Sequence, residues 1–317
     1  RFAPRFARRL AGRGAALAAL GVATAAAACD VVRLPADGEH GLVRTVSVAE
    51  ANATATGAAA DRVPFVVPDT ATIPDGPFGA SIRRGRALVT ATADSFPRTV
   101  RSALRCTSCH LDGGTRAGVM PWVGVAARFP QYRSRSGAMV SLEERVRGCF
   151  ARSLNAAPPM PGSRELVDIV AYLTWLSRGT PMGRETEGQG LPTLEKLAAD
   201  RSAGRVTYRQ ACARCHGEDG AGRPSYTAGA APAPPLWGAR SYNIGAGMAR
   251  VSIAANFIHA AMPHDRPGTL TPQQAWDVAA YVNGQVRPDF PGKENDWPRG
   301  DAPADAAYRT RAQLRRR

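Results

Sequence analysis

Lysine is nearly missing from this 317-residue sequence, in which Lys196 and Lys293 are the only two. Arginine therefore carries almost the whole net charge of +15. Aromatic residues are also scarce, at 7%, and no basic-aromatic strand pattern occurs, so the charge does not indicate a nucleic-acid-binding protein. The alanine-rich apolar run 15–28 is too short for a permanent membrane span. Small anions and anionic membrane surfaces remain as candidate partners.

What the sequence does contain is one peptide pattern, Cys-x-x-Cys-His, that occurs twice. The two copies are Cys106-Thr-Ser-Cys109-His110 and Cys212-Ala-Arg-Cys215-His216. This pattern is typical of c-type haem attachment, in which both thiols form thioethers and the histidine becomes an axial iron ligand. A zinc site normally sets its cysteine pairs closer together, and a redox-active pair needs no histidine. The sequence therefore predicts two covalently bound haem c groups.

An internal repeat of roughly 106 to 109 residues surrounds these peptides. Each copy continues with a Pro/Trp/Gly cluster and ends in a helix, predicted around 168–173 and 277–282. Thr271, Pro272 and Gln274 form a capping box for the second helix, and Ser163 is the predicted cap of the first. The predicted fold is all-α, with two tandem cytochrome c-like domains.

The remaining composition divides the chain into six predicted segments. They are an export signal (1–29), an extended tether (30–77), the first domain (78–182), a linker (183–200), the second domain (201–290) and a disordered, arginine-rich tail (291–317). Cys29 ends the apolar run, as a lipidated cysteine would, although ordinary cleavage after an Ala-x-Ala site is the alternative. We expect a periplasmic protein, or one on the outer face of a membrane with Cys29 as its tether.

Each haem also needs a distal ligand. In the second domain, Met262 precedes a proline on the loop before the last helix, which favours it over Met248 and His259. In the first domain the available methionines are Met120, Met139 and Met160. Cys149 is left over there once the haem peptides and Cys29 are accounted for, and on spacing alone it is either a buried inert thiol or a functional one.

Several motifs, in order, resemble those of the dihaem thiosulfate dehydrogenases. They are Cys106-Thr-Ser-Cys-His-Leu-Asp-Gly-Gly, Phe129-Pro-Gln-Tyr-Arg-Ser-Arg135, Arg147-Gly-Cys149-Phe-Ala-Arg-Ser-Leu-Asn155, Tyr242-Asn-Ile-Gly-Ala-Gly-Met248 and Phe257-Ile-His-Ala-Ala-Met-Pro263. The resemblance runs from about Phe78 to Pro288. It implies a first domain akin to Sox-type cytochromes, with Cys149 as the distal ligand of its haem and Met262 as that of the second. Some members carry a lysine where this sequence has Ala261, so we expect no exchange between lysine and methionine ligands.

The same resemblance implies a reaction, the oxidative coupling of two thiosulfate dianions to tetrathionate with transfer of two electrons to an external redox partner. Five arginines lie within 20 residues of Cys149, and they are Arg133, Arg135, Arg145, Arg147 and Arg152. Instead of binding substrate, these arginines could form a solvated surface. We expect two of them to reach the active site. Arg135 and Arg145 match the family best, with Ser153 as a hydrogen-bond donor.

Other functions remain open on the sequence alone. The main alternative is a dihaem electron carrier without chemistry of its own, serving an oxidase or another dehydrogenase. A Sox-type carrier-loading role and a tetrathionate reductase are further possibilities. A pure carrier predicts two ordinary His/Met haems and leaves Cys149 without a role.

Overall fold

The computed structural model describes residues 62–100, 102–223 and 232–315. The predicted signal, Cys29 and most of the tether lie outside the described residues. Every described residue belongs to one compact unit of the chain. Within the described ranges, no helix is long and apolar enough to cross a membrane.

The first half of the described chain is mainly helical. Its elements are β1 (Arg62–Val63), a 3-10 turn (Thr70–Thr72), α1 (Gly76–Thr90), α2 (Thr92–Ser95), a 3-10 turn (Cys106–Ser108), α3 (Leu111–Gly114), a 3-10 turn (Val125–Arg128), β2 (Gln131–Arg133), β3 (Ala138–Val140), α4 (Leu142–Arg152), α5 (Arg164–Leu176) and β4 (Glu185–Thr186).

The second half repeats the helical layout. Its elements are α6 (Arg201–Thr207), a π-helical turn (Tyr208–Cys212), α7 (Ala213–His216), a 3-10 turn (Gly247–Ala249), α8 (Val251–Ala261), α9 (Pro272–Asn283), a 3-10 turn (Lys293–Asn295) and α10 (Arg311–Leu314). The predicted capping box at the start of α9 is confirmed, since Thr271 and Gln274 exchange hydrogen bonds. Ser163 is the N-cap residue of α5, although its side chain makes no cap hydrogen bond.

The first and last helices of each domain cross at very short range. A Cβ atom on Gly85 of α1 would lie 1.9 Å from the carbonyl oxygen of Asp168 in α5. The second domain repeats this contact, because a Cβ atom on Gly204 of α6 would lie 2.0 Å from the carbonyl oxygen of Asp277 in α9. Only glycine permits backbones to approach this closely. The sequence repeat is therefore also a repeat of helix packing.

The two aspartates at these crossings also bind the first helix through their side chains. The Asp168 carboxylate accepts hydrogen bonds from Ser81 at 2.5 Å and from Arg84 Nε at 2.7 Å. Burial alone would raise the pKa of Asp168, but these donors outweigh burial and lower it. In the second domain, Asp277 Oδ1 accepts the N–H of Asp200, the N-cap residue of α6, at 2.8 Å.

Three groups of buried apolar residues form the core. The first surrounds Ile82, Phe150 and Ile169 of the first domain and also includes buried residues 242, 246 and 249 of the second domain. The second lies inside the second domain around Tyr208 and Val278. The third, which we call the interdomain cluster, joins the domains. Its fully or largely buried members are Leu111, Val119, Phe257 and Ala261.

The described chain is mostly helical, but it also contains two pairs of short strands that the all-α prediction did not include. Strands β2 and β3 pair antiparallel, with Gln131 opposite Val140 and Arg133 opposite Ala138, and we call residues 131–140 the hairpin. Strands β1 and β4 form a second, parallel pair. Strands of two or three residues are too short for an alternating pattern to reveal them, which explains why the prediction missed them.

The predicted disorder of the tail over 291–317 is wrong for residues 291–315. Trp297 is 3% exposed, and Thr310 is fully buried and caps α10 with its side chain. Asp296 is also buried and binds Arg152 of α4. The arginine-rich composition suggested solvation, but Asp296 packs on the first domain and Asp305 accepts hydrogen bonds from Ser252 of the second.

Gly85→Ala tests the close helix crossing. We expect the variant to lose about 1–3 kcal/mol of unfolding free energy, because the new methyl group meets a backbone carbonyl that cannot rotate away. The measurement is guanidinium denaturation of the haem-loaded protein. Gly148→Ala is the matched control, since Gly148 is also helical but has no neighbour within 4 Å of the added atom. Equal stability of Gly85→Ala and the control would contradict the crossing.

Candidate haem sites and active site

The first Cys-x-x-Cys-His peptide is anchored by a buried threonine. Thr92, which is fully buried, accepts a hydrogen bond from the N–H of Cys106 at 3.1 Å and donates one to the carbonyl of Val89 at 3.0 Å. Burial raises the pKa of Cys106 and of Cys109 to about 12, so both side chains are neutral thiols near neutral pH. The two sulfur atoms are therefore held in an apolar setting at the end of a single 3-10 turn.

His110 has one ring nitrogen occupied and one free. Its Nδ1 donates to the carbonyl of Met120 at 2.6 Å, which leaves Nε2 with its lone pair available. Burial lowers the pKa of His110 to about 4, so the ring is neutral at physiological pH. The ring lies 4.7 Å from that of Trp122, which in turn packs against Gly114. A neutral, oriented imidazole of this kind is the form that ligates a metal.

The second peptide repeats these features. A π-helical turn, Tyr208–Cys212, leads into it, and His216 Nδ1 donates to the carbonyl of Pro234 at 2.8 Å. Burial lowers the pKa of His216 and raises that of Cys212 to about 11. Trp237 packs on Gly220, as Trp122 packs on Gly114 in the first domain.

These features fit covalently attached haem. All five cysteines in the described part of the chain are free thiols. Each histidine is oriented through Nδ1, and its Nε2 is free to bind iron while the two thiols beside it form the thioethers. No group of three or more His, Cys, Asp or Glu side chains within the described ranges gathers as a metal-ion site of the zinc type.

The structure narrows the set of methionines that can serve as distal ligands. Met160 and Met139 are 74% and 59% exposed, so neither packs against the apolar cores. Met120 packs with the interdomain cluster. Met262 and Met248 are both half-buried and both contact the second core and the interdomain cluster. The preference for Met262 over Met248 stays a prediction.

His259, the third candidate in the second domain, uses its Nδ1 in a contact with the carbonyl of Leu270 at 2.9 Å. The remaining nitrogen of a half-buried ring is available, so this contact orients His259 without assigning it a ligand role. As a candidate ligand, His259 therefore ranks below the two methionines, whose thioethers lie in the apolar cores.

Cys149 lies on α4, one turn after an arginine that contacts it. The helix begins with a capping box between Ser141 and Glu144. Arg145 Nη1 donates to Cys149 Sγ at 3.1 Å, which places a permanent positive charge against the sulfur atom.

Arg133 on the hairpin also belongs to this site. Burial and the positive charges of Arg145, Arg128 and Arg135 lower the pKa of Arg133 to about 10, while Cys149 acts in the opposite direction. Arg133 therefore lies among like charges, and the charge of Cys149 favours its protonated form. Two half-buried guanidinium groups, those of Arg133 and Arg145, form with this sulfur atom a site that favours an anion.

The other three arginines near Cys149 in sequence point elsewhere. Arg147 donates to the carbonyl of Pro159 at 3.0 Å, and Arg152 forms a two-pronged ion pair with Asp296. Arg135, predicted as a catalytic residue, donates to the carbonyl of Gly245 and lies 4.6 Å above the ring of Trp297. These contacts do not place Arg135 at Cys149, and its role on substrate stays a prediction; Arg133, which the sequence analysis did not select, is the arginine whose pKa the charge of Cys149 affects.

Ser153 is the C-cap residue that follows α4, and its backbone N–H donates to the carbonyl of Cys149 at 2.8 Å. This contact holds the carboxyl end of the helix in place next to the sulfur-bearing residue. The predicted role of the Ser153 hydroxyl as a donor to substrate is not tested by this contact and stays a prediction.

A loop of the second domain reaches the same end of α4, which the sequence did not reveal. Asn243, 1% exposed, donates from Nδ2 to the carbonyl of Ala151 at 2.8 Å and to Asn155 Oδ1 at 2.9 Å. Gly245 follows, where a Cβ atom would lie 2.9 Å from Arg152 Nη1 and 2.8 Å from the ring of Phe290. The active-site helix is thus fixed by both domains, which explains the Asn and Gly of this motif.

The two domains match two cytochrome c families. Residues 97–182 match the model described as "SoxA/TsdA, cytochrome c domain", and residues 199–282 match "Cytochrome C oxidase, cbb3-type, subunit III". With one Cys-x-x-Cys-His peptide in each domain, the fold and site define a c-type cytochrome that carries two covalently bound haem c groups.

Comparison with known proteins narrows this class. The chain is 43% identical over 233 residues to thiosulfate dehydrogenase of Allochromatium vinosum, covering 72% of this chain and 86% of that one. It is 38% identical over 256 residues to thiosulfate dehydrogenase of Psychrobacter arcticus, covering 80% of this chain and 78% of that one. The chain belongs to the thiosulfate dehydrogenase family, as its motifs predicted.

A solved structure agrees with this placement. The thiosulfate dehydrogenase TsdBA from Marichromatium purpuratum matches with a TM-score of 0.67 and 39% identity over 74% of this chain. This chain spans about half of that protein, 51% of its length. The subunit SoxA of L-cysteine S-thiosulfotransferase from Pseudaminobacter salicylatoxidans is 40% identical over 94 residues, 29% of this chain.

Proposed function

We propose that the protein oxidises thiosulfate to tetrathionate at Cys149 and passes the electrons to an external redox partner. The observation that carries this proposal is the contact between Arg145 and the Cys149 sulfur, with Arg133 beside them. Membership of the thiosulfate dehydrogenase family supports the same reaction.

The charges of the site suit two dianions. Thiosulfate presents sulfonate oxygens that arginine binds through planar, permanently charged groups. Burial and the like charges around it disfavour the charged form of Arg133 in the free protein and lower its pKa. A bound dianion relieves this repulsion. The free energy of binding is then more favourable, because folding has already brought the positive charges together.

The thiolate of Cys149 can carry the sulfur chemistry. Its sulfur joins the terminal sulfur of one thiosulfate, and the new S–S bond forms with loss of two electrons. A second thiosulfate then attacks that bond, releases tetrathionate and restores the thiolate. Two thiosulfate dianions thus give one tetrathionate dianion and two electrons. The haem groups, when bound, supply the one-electron acceptors for this step.

We assign Cys149 as the distal ligand of the first haem and Met262 as that of the second. Cys149 is the half-buried sulfur of the first domain with an arginine against it, while three of the four methionines there are exposed. The interdomain cluster supports electron transfer between the domains. It joins Leu111, next to His110, to Ala261, next to Met262.

Cys149→Gly tests the proposed reaction. We expect ferricyanide-coupled thiosulfate oxidation to fall by about 100-fold or more, because the nucleophilic sulfur is lost. The visible spectrum of the first haem should change as well, since glycine offers no ligand. Haem content measured as the pyridine complex controls for maturation. An inactive wild-type protein, or a variant with full rate and an unchanged spectrum, would instead favour a pure electron carrier.

Arg133→Gln tests the anion site. We expect the KM for thiosulfate to rise about tenfold, equivalent to about 1.4 kcal/mol, with a much smaller change in kcat. Arg147→Gln is the matched control, because Arg147 is nearby in sequence but contacts the Pro159 carbonyl. Arg133→Lys should restore part of the affinity. A similar KM in Arg133→Gln and the control removes Arg133 from the site.

Met262→Ala tests the ligand of the second haem. We expect the weak near-infrared absorption band of Met-ligated ferric haem to disappear in this variant and to persist in Met248→Ala. Both variants should carry two haem groups per chain. The opposite pattern would transfer the ligand role to Met248, and absence of the band already in the wild-type protein would point to His259.

A further inference from the structure

The packed tail residues contact both elements that bear the active-site charges. We call residues 296–308 the C-terminal strap. It contains two nearly buried side chains, Asp296 at 6% and Trp297 at 3% exposed, and it lies beyond the segment matched by either cytochrome family. Neither the haem peptides nor the proposed reaction gives it a role.

The first contact of the strap is with α4, which bears Arg145 and Cys149. The two Asp296 carboxylate oxygens each accept a hydrogen bond at 2.7 Å from Arg152, the last residue of α4. The Tyr308 hydroxyl donates to the same carboxylate. The Asp296 side chain is 7% exposed and that of Arg152 is 20% exposed, so the pair is largely shielded from solvent.

The second contact is with the hairpin, which bears Arg133. The N–H of Trp297 donates to the carbonyl of Arg135 at 2.8 Å, and the Arg135 guanidinium lies over the Trp297 ring. Pro298 packs so closely on the turn that a Cβ atom at Gly137 would lie 2.6 Å from it. Arg299 lies 5.1 Å from the ring centre of Tyr132. The strap therefore touches the strand β2, the turn and the backbone between them.

The hairpin needs such support for a physical reason. Its strands are three residues long, and a two-stranded hairpin of this size is marginally stable without other packing. It also carries Arg133, whose pKa is lowered by burial and by the nearby charge of Arg145, and whose Nη1 donates to Gln131 Oε1 at 3.1 Å. Because two positive charges repel each other, the hairpin that carries both Gln131 and Arg133 must be held in place before an anion arrives.

We propose that the C-terminal strap is a positioning element that holds the hairpin against α4, so that Arg133 and Arg145 converge on Cys149 and bind a sulfur dianion. Asp296 and Trp297 are the positioning residues, and Arg135 acts through Trp297 rather than on substrate. The role of the strap in thiosulfate binding rests on the proposed function, whereas its role in holding the hairpin in place does not.

Two variants test the strap in the full-length, haem-loaded protein. Asp296→Asn keeps the size of the side chain and removes the ion pair, and Trp297→Ala removes the ring beneath Arg135. Trp297→Phe is the conservative rescue variant. Asp301→Asn is the matched control, since Asp301 is an exposed acidic residue within the strap. Haem content and helix signal confirm that each variant has folded.

The first readout is amide hydrogen exchange, followed by mass spectrometry. We expect amides of 131–140 to exchange about tenfold faster or more in Asp296→Asn and Trp297→Ala, with α5 unchanged. Asp301→Asn should match the wild type, and Trp297→Phe should lie between. Unchanged exchange of the hairpin in both variants overturns the proposal, because the strap then does not hold it.

The second readout separates KM from kcat for thiosulfate. We expect KM to rise about tenfold in both variants while kcat stays within about twofold, since a displaced arginine weakens binding and leaves Cys149 in place. Faster exchange with unchanged KM overturns the role in substrate binding. An inactive wild-type protein refutes the proposed function instead, and hydrogen exchange then decides by itself whether the strap holds the hairpin.

Discussion

The close crossing of the first and last helices in each domain is the constraint on which the haem sites depend. With Gly85 against Asp168, α5 comes near enough for the Tyr172 hydroxyl to donate to the carbonyl of Gly113 at 2.8 Å, just after His110. That contact fixes the loop whose Met120 carbonyl orients the histidine. The second domain has the same crossing at Gly204. A small domain around a large flat cofactor has few other contacts with which to set this geometry.

The two domains share that frame and differ in what faces the haem. The first places a cysteine beside Arg145 and within the influence of Arg133, where positive charge and a soft sulfur favour an oxyanion. The second offers thioethers in an apolar core. In the proposed reaction, bonds are made in the first domain and electrons leave from the second. Asn243 links them, since a second-domain side chain fixes the end of the helix that bears Cys149.

Residues with a local signature were predictable, and residues defined by long-range packing were not. The haem peptides and the Thr271 capping box are short patterns whose chemistry needs only neighbours in sequence. Arg135 illustrates the limit. Its motif pointed to the active site, but its guanidinium is directed to Gly245 and Trp297, which lie more than a hundred residues away. Arg133, two residues earlier, could not be distinguished from it without the hairpin.

The sequence by itself determined the two haem c groups, the tandem helical domains, the family and the isolated Cys149, because covalent attachment and helix formation depend on residue type and spacing. Only the tertiary structure decided which arginines reach that cysteine. It also showed that residues 291–315, which include the C-terminal strap, are ordered and packed. Guanidinium direction and tail burial depend on partners far along the chain, and composition records neither. An arginine-rich sequence states how much positive charge there is, and the fold determines where that charge meets the sulfur.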